Sequence, residues 1–266
     1  MMIFDSHAHY DDERFDGIRE DVLKDVNENG VKRIVNVGAS IKSSESSLAL
    51  SEKYDFVYAS VGVHPSDAAR DMQDPEWISK IEKMYTQNEK CVAIGEIGLD
   101  YYWTQDDKEE QKKCFRAQMA LAEKLGAPVI IHDRDAHADV LEIMREFPKV
   151  HGVVHSFSGS FEMAKQVMKM GYYISVNGVT TFKNARKIVE IVENLRDVHP
   201  DAISRILVET DCPYLTPVPF RGELNRSDYI SYTAEKCAEL LGITKEEFCR
   251  VTYENACRFY GLECDI

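Results

Sequence analysis

The sequence predicts an α/β fold, a (β/α)8 or TIM barrel, on the basis of three observations. The chain has 266 residues, close to the roughly 250 that are typical of such barrels. Short apolar runs rich in β-branched residues alternate with longer segments of helical periodicity, which indicates parallel strands joined by helical crossovers. Histidines and carboxylates recur at the ends of the apolar runs, the edge at which a TIM barrel carries its active site. We therefore expect one barrel domain over residues 1–266.

Eight apolar runs are predicted as strands because each is short and bounded by turn or helix signals. In chain order they cover residues 2–4, 33–37, 56–63, 91–95, 128–131, 152–154, 172–176 and 205–208. The structural alternative is a doubly wound open sheet. No Gly-x-Gly-x-x-Gly fingerprint follows the first run, which argues against the nucleotide-binding form of that fold.

Helices are predicted where apolar residues recur every three or four positions. They cover residues 16–29, 107–125, 135–147, 162–170, 184–195, 228–241 and 244–260. Gly30 and Gly126 follow two of these segments as C-caps, and Thr244 with Glu247 forms a capping-box pattern. The prolines within residues 210–227 predict a long loop after the eighth strand.

Composition narrows the classes of protein to consider. The net charge of −14 argues against a protein that wraps broadly around DNA or an anionic membrane. It does not exclude a nucleic-acid substrate, because bound cations make a cleft locally positive. Seven cysteines without Cys-x-x-Cys spacing indicate free thiols and a reducing compartment. No run reaches the roughly 18 apolar residues of a membrane span, and the first strand leaves no room for a signal peptide, so we expect a cytoplasmic protein.

The pair His7 and His9 follows the first apolar run. Residues two apart on a strand share a face, so both imidazoles can point into one cavity, and imidazole is a common ligand of transition metals. The structural alternative is an isolated surface pair. Four further residues, placed at the ends of later strands, favour the metal interpretation: Glu96, His132, His155 and Asp211.

These six side chains are too many for one tetrahedral ion but suit two divalent metals bridged by a carboxylate. Glu96 is the predicted bridge, and with Asp211 it is a predicted catalytic residue. Four imidazoles favour zinc or manganese over magnesium, which prefers oxygen ligands. Asp5 and Glu209 are candidates to orient the ligands, because alternation places them on the same faces as His7 and Asp211.

Four other residues are candidates for substrate binding: His64, Arg134, Tyr102 and Arg221. His64 and Arg134 lie at strand ends, and Arg221 follows strand eight, where barrels often bind phosphate. The arginine fork matches phosphate oxygens, and a tyrosine ring can stack on a base. The alternatives are a solvated surface charge for an arginine and a core position for a tyrosine.

The chain resembles the TatD family of metal-dependent deoxyribonucleases, within the metal-dependent hydrolase barrels, over almost its whole length. The resemblance rests on FDSHAH (4–9), GVHP (62–65), GEIGLDY (95–101), HDRDA (132–136), HSFSG (155–159) and LVETDCPYL (207–215). It implies that the residues at positions 7, 9, 96, 132, 155 and 211 are metal ligands. It also implies magnesium dependence and 3′-to-5′ exonuclease activity on DNA. Residues 221–227 depart from the family pattern, since the Glu-Pro that commonly ends this loop is missing.

The mechanism we expect is two-metal hydrolysis of a phosphodiester, with Asp211 as the proton acceptor. The expected substrate is DNA, as single strands or 3′ ends, with no membrane association and no obligate protein partner. Two alternatives stay open. One is an amidohydrolase, lactonase or phosphotriesterase for a small molecule, because fold does not fix function. The other is a non-catalytic metal-binding factor.

Overall fold

The computed structural model describes residues 2–103 and 107–265. Contacts divide this part of the chain into two compact units. The first unit comprises residues 2–35, 156–169 and 173–265, and the second comprises the described residues of 36–155 together with 170–172. The prediction of a single domain stays a prediction.

Strands and helices alternate along the chain, as the sequence predicts. The strands are β1 Ile3–Ala8, β2 Val31–Val37, β3 Val57–Val61, β4 Cys91–Asp100, β5 Val129–Arg134, β6 Gly152–Val154, β7 Tyr173–Val176 and β8 Ile206–Val208. Their order in the sheet follows their order in the sequence, which is the strand order of a (β/α)8 fold.

The helices follow most of the strands. They are α1 Arg19–Glu28, α2 Ile41–Lys53, α3 Ala68–Asp71, α4 Trp77–Gln87, α5 Lys108–Leu125, α6 His137–Glu146, α7 Phe161–Lys169, α8 Arg186–Glu193, α9 Leu195–Val198, α10 Ile230–Leu241 and α11 Lys245–Tyr260. Short 3-10 turns cover Glu13–Phe15, Pro65–Asp67, Gly178–Thr181, Ala202–Arg205 and Ser227–Tyr229. Within the part of the chain that the structure describes, we find no helix with the length and apolarity needed to span a bilayer.

The first unit packs α11 against β1. Phe4 lies 5.8 Å from the rings of both Tyr253 and Tyr260, and the Tyr260 hydroxyl donates a hydrogen bond to the carbonyl of Ser6 at 2.7 Å. The predicted cap of α11 is confirmed, because Thr244 Oγ1 accepts the backbone N–H of Glu247. Strands β7 and β8 pair in parallel. This packing fixes β1 beside the loop that follows β8.

The second unit is built on β3 to β6, whose neighbouring strands pair in parallel. The pairing of β4 with β5 shifts register between Ile94 and Ile97, and it then brings Gly98 opposite His132. A Cβ on Gly98 would lie 2.0 Å from the carbonyl oxygen of His132, so only glycine permits the strands to approach so closely here. The register shift falls at Glu96, and such irregularities often re-aim a side chain next to an active site.

Three predicted strand ends were placed too early. β1 continues past Phe4 to Ala8, β4 continues to Asp100, and β5 continues to Arg134. The apolar criterion ended each run too soon, because buried polar residues with hydrogen-bond partners extend the strands. The helix predicted from residue 135 begins later, because α6 starts at His137 and its N-cap residue is Ala136.

Candidate metal centre

The first unit brings together three of the predicted metal ligands: His7, His9 and Asp211. The Nε2 atoms of His7 and His9 lie 3.0 Å apart. Oδ1 of Asp211 lies 3.4 Å from Nε2 of His9 and 3.7 Å from Nε2 of His7. His7 is fully buried within β1, and the side chain of Asp211 is 16% exposed. These three side chains are called the first donor set.

Backbone hydrogen bonds hold the first donor set in place. The N–H of Asp211 donates to the carbonyl of His7, and the N–H of His9 donates to the carbonyl of Cys212. Asp211 has a left-handed backbone with φ of 56°, a conformation that an aspartate tolerates better than most residues. The two backbone hydrogen bonds to β1 and to His9 therefore set the direction of the Asp211 carboxylate.

Asp5 connects β1 by hydrogen bonds to the segment that follows β8. Its carboxylate accepts hydrogen bonds from the Thr210 hydroxyl at 2.6 Å, the Ser227 hydroxyl at 2.6 Å and the Thr210 N–H at 3.0 Å. Burial raises the pKa of Asp5 to about 7, although these hydrogen bonds oppose the shift. Asp5 also accepts the backbone N–H of His7. It therefore joins the segment that carries one ligand to the segment that carries another.

Glu209, the other predicted orienting residue, holds a different loop. Its carboxylate accepts the backbone N–H of Ser156 at 2.7 Å and the hydroxyl of Ser175 at 2.6 Å. Ser156 has a positive φ of 44°, which is uncommon for a residue with a side chain. The hydrogen bond from its N–H supports this conformation where the chain leaves β6.

The second unit brings together three further predicted ligands: Glu96, His132 and His155. Oε1 of Glu96 lies 2.7 Å from Nδ1 of His132 and 2.7 Å from Nε2 of His155, and those two nitrogens lie 3.2 Å apart. The three side chains come from β4, from β5 and from the residue that follows β6. They are called the second donor set.

Glu96 is an anion in this environment. Burial opposes its ionisation, but electrostatic interactions with His155 and His64 and hydrogen bonds from His132 and His155 outweigh burial. The pKa of Glu96 therefore lies well below its ordinary value. A carboxylate held charged within a cluster of imidazoles is suited to bind a cation.

His132 faces a carboxylate with each ring nitrogen. Nδ1 points to Glu96, and Nε2 lies 3.0 Å from Oδ2 of Asp100. Burial lowers the pKa of His132, but the hydrogen bonds to Asp100 and Glu96 outweigh it and leave the pKa raised. A carboxylate only accepts hydrogen bonds, so Asp100 keeps a proton on Nε2 and directs Nδ1 to the second donor set. This is the carboxylate–histidine arrangement that orients metal ligands.

His64 also lies in this cluster. Its Nε2 is 3.8 Å from Oε1 of Glu96, and its ring centroid is 4.3 Å from that of His132. Its Nδ1 accepts the backbone N–H of Ser66, which leaves the ring proton on Nε2. Burial, reinforced by the charge of His132, lowers the pKa of His64 to about 3. It is therefore a neutral hydrogen-bond donor.

Both donor sets fit a divalent cation. Two donor atoms bound at a tetrahedral angle, each 2.0–2.1 Å from zinc, are about 3.4 Å apart. The donor atoms are 3.0 to 3.7 Å apart in the first set and 2.7 to 3.2 Å apart in the second. Each set combines two imidazoles with one carboxylate, a composition typical of catalytic zinc sites that keep a position open. The raised pKa of His132 fits as well, because a proton there supplies positive charge that a cation would otherwise provide.

The predicted substrate residues fall into three places. Arg134, the last residue of β5, has its guanidinium carbon 4.9 Å from the ring centroid of Tyr102. His64 lies beside the second donor set. Arg221 is exposed in the loop after β8, and its guanidinium carbon lies 3.8 Å from the ring centroid of Phe182. In the second unit, therefore, Arg134, predicted to bind an anion, is in contact with Tyr102, predicted to stack on a base.

Sequence reasoning missed the role of Asp100. The chain showed this residue in the motif Gly98-Leu99-Asp100, but its partner depends on the register of β4 against β5, in which Asp100 lies opposite Arg134. Residues 132 and 134 share a strand face, so this register places Asp100 near His132.

The family described as TatD related DNase matches residues 4–261. The chain is 44% identical over 265 residues to the uncharacterized metal-dependent hydrolase YabD of Bacillus subtilis, which covers 98% of this chain and 100% of the relative. It is 35% identical over 269 residues to the uncharacterized metal-dependent hydrolase YcfH of Escherichia coli, with 99% and 97% covered.

Solved structures agree with this similarity. The structure of YJJV, a TatD homolog from Escherichia coli, matches with a TM-score of 0.89 at 27% identity and covers 98% of each chain. A TatD family hydrolase from Entamoeba histolytica matches with a TM-score of 0.86 at 23% identity, over 97% of this chain and 98% of that one, which shows the fold alone. With the strand order, these matches confirm the predicted (β/α)8 fold class.

Proposed function

The chain belongs to the TatD family of metal-dependent hydrolases, and from this premise we propose that it is a deoxyribonuclease that removes nucleotides from the 3′ end of DNA. The observation that carries the proposal is the second donor set with its surroundings. Charged Glu96, the neutral donor His64, and Arg134 beside Tyr102 all belong to this unit. A metal site flanked by anion-binding groups and an aromatic ring suits a phosphodiester that carries bases.

We propose one divalent ion for each donor set. His7, His9 and Asp211 would hold one ion, and Glu96 with His132 and His155 would hold the other. When bound, such ions lower the pKa of water and stabilise charge on phosphate oxygens. The two imidazoles in each set favour zinc or manganese, while the family resemblance favours magnesium.

Asp211 is the proposed proton acceptor for the attacking water. Its carboxylate is held beside two imidazoles by backbone hydrogen bonds, yet its side chain keeps 16% of its surface exposed. A proton acceptor needs this combination of fixed direction and access to water. Glu96 serves as the charged anchor of the second donor set, since it is almost fully buried.

Two groups are proposed to hold the non-bridging phosphate oxygens. Neutral His64 donates its Nε2 proton, and its orientation is fixed by the Ser66 N–H on the other side of the ring. Arg134 offers a planar fork with several donors. Because Arg134 also lies against Tyr102, a phosphate bound there would place the adjoining base near an aromatic ring.

The proposal extends to substrate form and location. The net charge of −14 disfavours extensive duplex binding, so we propose short contacts with single strands or 3′ ends. All seven cysteines are free thiols, which fits the reducing cytoplasm. We propose no membrane association and no obligate protein partner.

The test is a chelator-controlled assay on single-stranded DNA labelled at the 5′ or the 3′ end. We expect release of mononucleotides from the 3′ end that stops when the metals are removed and returns when zinc, manganese or magnesium is added. Parallel assays use a dipeptide and hydantoin panel, a lactone and a paraoxon-like ester. Turnover of one of these with no cleavage of DNA would favour a small-molecule hydrolase, and binding of DNA with no turnover at all would favour a non-catalytic factor.

A further inference from the structure

Two large aromatic side chains at the end of β4 face solvent. Trp103 is 77% exposed, and Tyr102 is 51% exposed. Their ring centroids are 4.7 Å apart with an interplanar angle of 87°. Large aromatic side chains are usually well buried because burial of their apolar surface is favourable. The exposed pair Tyr102 and Trp103 is called the aromatic tip. Exposed aromatic surface beside a candidate site indicates a surface that binds another molecule.

A single carboxylate links this tip to the second donor set. Oδ1 of Asp100 accepts the backbone N–H groups of Tyr102 and Trp103, each at 2.9 Å. Oδ2 of the same side chain accepts Nε2–H of His132 at 3.0 Å. The backbone of the aromatic tip is thus held by the residue that orients a predicted metal ligand. Asp100 therefore fixes the distance between the backbone of the aromatic tip and His132.

Cations lie against two tyrosine rings of this segment. The guanidinium of Arg134 lies 4.9 Å from the ring centroid of Tyr102, and the ammonium of Lys108 lies 4.3 Å from that of Tyr101. Aromatic rings interleaved with basic side chains are the usual means by which proteins bind single-stranded nucleic acid without sequence preference. This local arrangement contrasts with the net charge of −14 of the whole chain.

We propose that Trp103 and Tyr102 form a stacking platform for a nucleobase of the substrate, with Trp103 as the principal surface. The inference rests on the proposed function. It adds Trp103 as a residue that favours substrates with a nucleobase. A base has a flat π-face that can stack on the exposed indole. The phosphate of the same nucleotide would bind Arg134. The platform recognises any base, since every base has such a face.

The test combines a protein variant with a substrate variant. Trp103→Ala and wild type are compared on a 3′-labelled oligodeoxythymidylate and on the same strand with abasic sugars at its last two positions. We expect Trp103→Ala to raise KM on the normal strand about 5- to 150-fold, which corresponds to the loss of one base stack. On the abasic strand, wild type and variant should have the same KM. Tyr58→Ala is the matched control, because Tyr58 also has a cation near its ring, Lys90 at 5.5 Å, but lies on β3.

Fluorescence gives an independent readout. The chain has two tryptophans, and Trp77 is buried with 8% exposure. In a Trp77→Phe variant the emission therefore reports on Trp103 alone, and we expect the oligonucleotide to quench it and to shield it from iodide.

The outcomes separate the two proposals. Cleavage of DNA with an unchanged KM for Trp103→Ala would overturn the platform and leave the proposed function standing. An equal loss on normal and abasic strands would also overturn it, because the residue would then act only through loop structure. Absence of phosphodiester cleavage by the wild-type holoenzyme would instead refute the proposed function.

Discussion

Replacement of Asp100 by asparagine tests how the second donor set is oriented. Asp100 accepts two backbone N–H groups through Oδ1 and the Nε2 proton of His132 through Oδ2. In Asp100→Asn the amide oxygen would stay with the backbone donors, so the amide NH2 would face Nε2. That contact favours the tautomer with the proton on Nδ1, which blocks the nitrogen that faces Glu96.

The magnitude follows from the bond that is lost. A hydrogen bond to a charged group contributes about 1.5–3 kcal/mol, and loss of such an orienting partner weakens metal affinity by about 10- to 100-fold. We expect a reduction of this size at the second donor set and little change at the first. Titration of the metal-free protein with zinc against a chelating indicator should resolve the two sets as two classes of site.

Asp133→Asn provides the matched control. Asp133 is also buried and pairs with a histidine, since its Oδ2 lies 2.8 Å from Nδ1 of His137, but His137 is outside both donor sets. We expect its zinc affinity to stay within about threefold of wild type. Unchanged affinity in Asp100→Asn, or equal losses in both variants, would refute the orienting role of Asp100.

Three further predictions concern the proton acceptor, the buried carboxylate of Asp5 and the thiols. Asp211→Asn should lower kcat on single-stranded DNA at least about 100-fold, as expected for loss of a general base, with an unchanged urea midpoint; near-normal turnover would exclude this role. Asp5→Ala should lower the free energy of unfolding in urea by about 3–5 kcal/mol, because it strands several buried donors; Asp16→Ala, at an exposed ion pair, should change it by less than about 0.5 kcal/mol, and similar values for both would contradict the account. At pH 8 a thiol reagent should modify Cys264 first, because it is exposed while burial raises the pKa of Cys91 to about 12; rapid labelling of several thiols would contradict the burial.

The grouping of the candidate ligands could be predicted from the sequence because their placement follows two simple rules. Alternation along a strand puts His7 and His9 on one face, and the carboxyl ends of parallel strands meet at one edge. Within each unit, the structure brings together candidate ligands that these rules select: two histidines with Asp211 in the first, and two histidines with Glu96 in the second.

The supporting contacts could not be predicted in the same way. Asp5 contacts Thr210 and Ser227, which lie more than 200 residues away in the sequence. No local sequence pattern predicts a contact between residues so far apart in the chain. The same contacts explain why β1 is longer than its apolar run, since a buried carboxylate with several donors stabilises a strand that composition alone would end. The exposure of Trp103 likewise depends on how β4 ends rather than on its neighbours in sequence.

The central claim is that each donor set binds a divalent ion. Crystals of the protein grown with zinc, measured on both sides of the zinc absorption edge, test it most directly. The account predicts one anomalous peak about 2 Å from the donor atoms of His7, His9 and Asp211, and another at the same distance from those of Glu96, His132 and His155. Fully occupied zinc elsewhere, with no peak at either set, would contradict it.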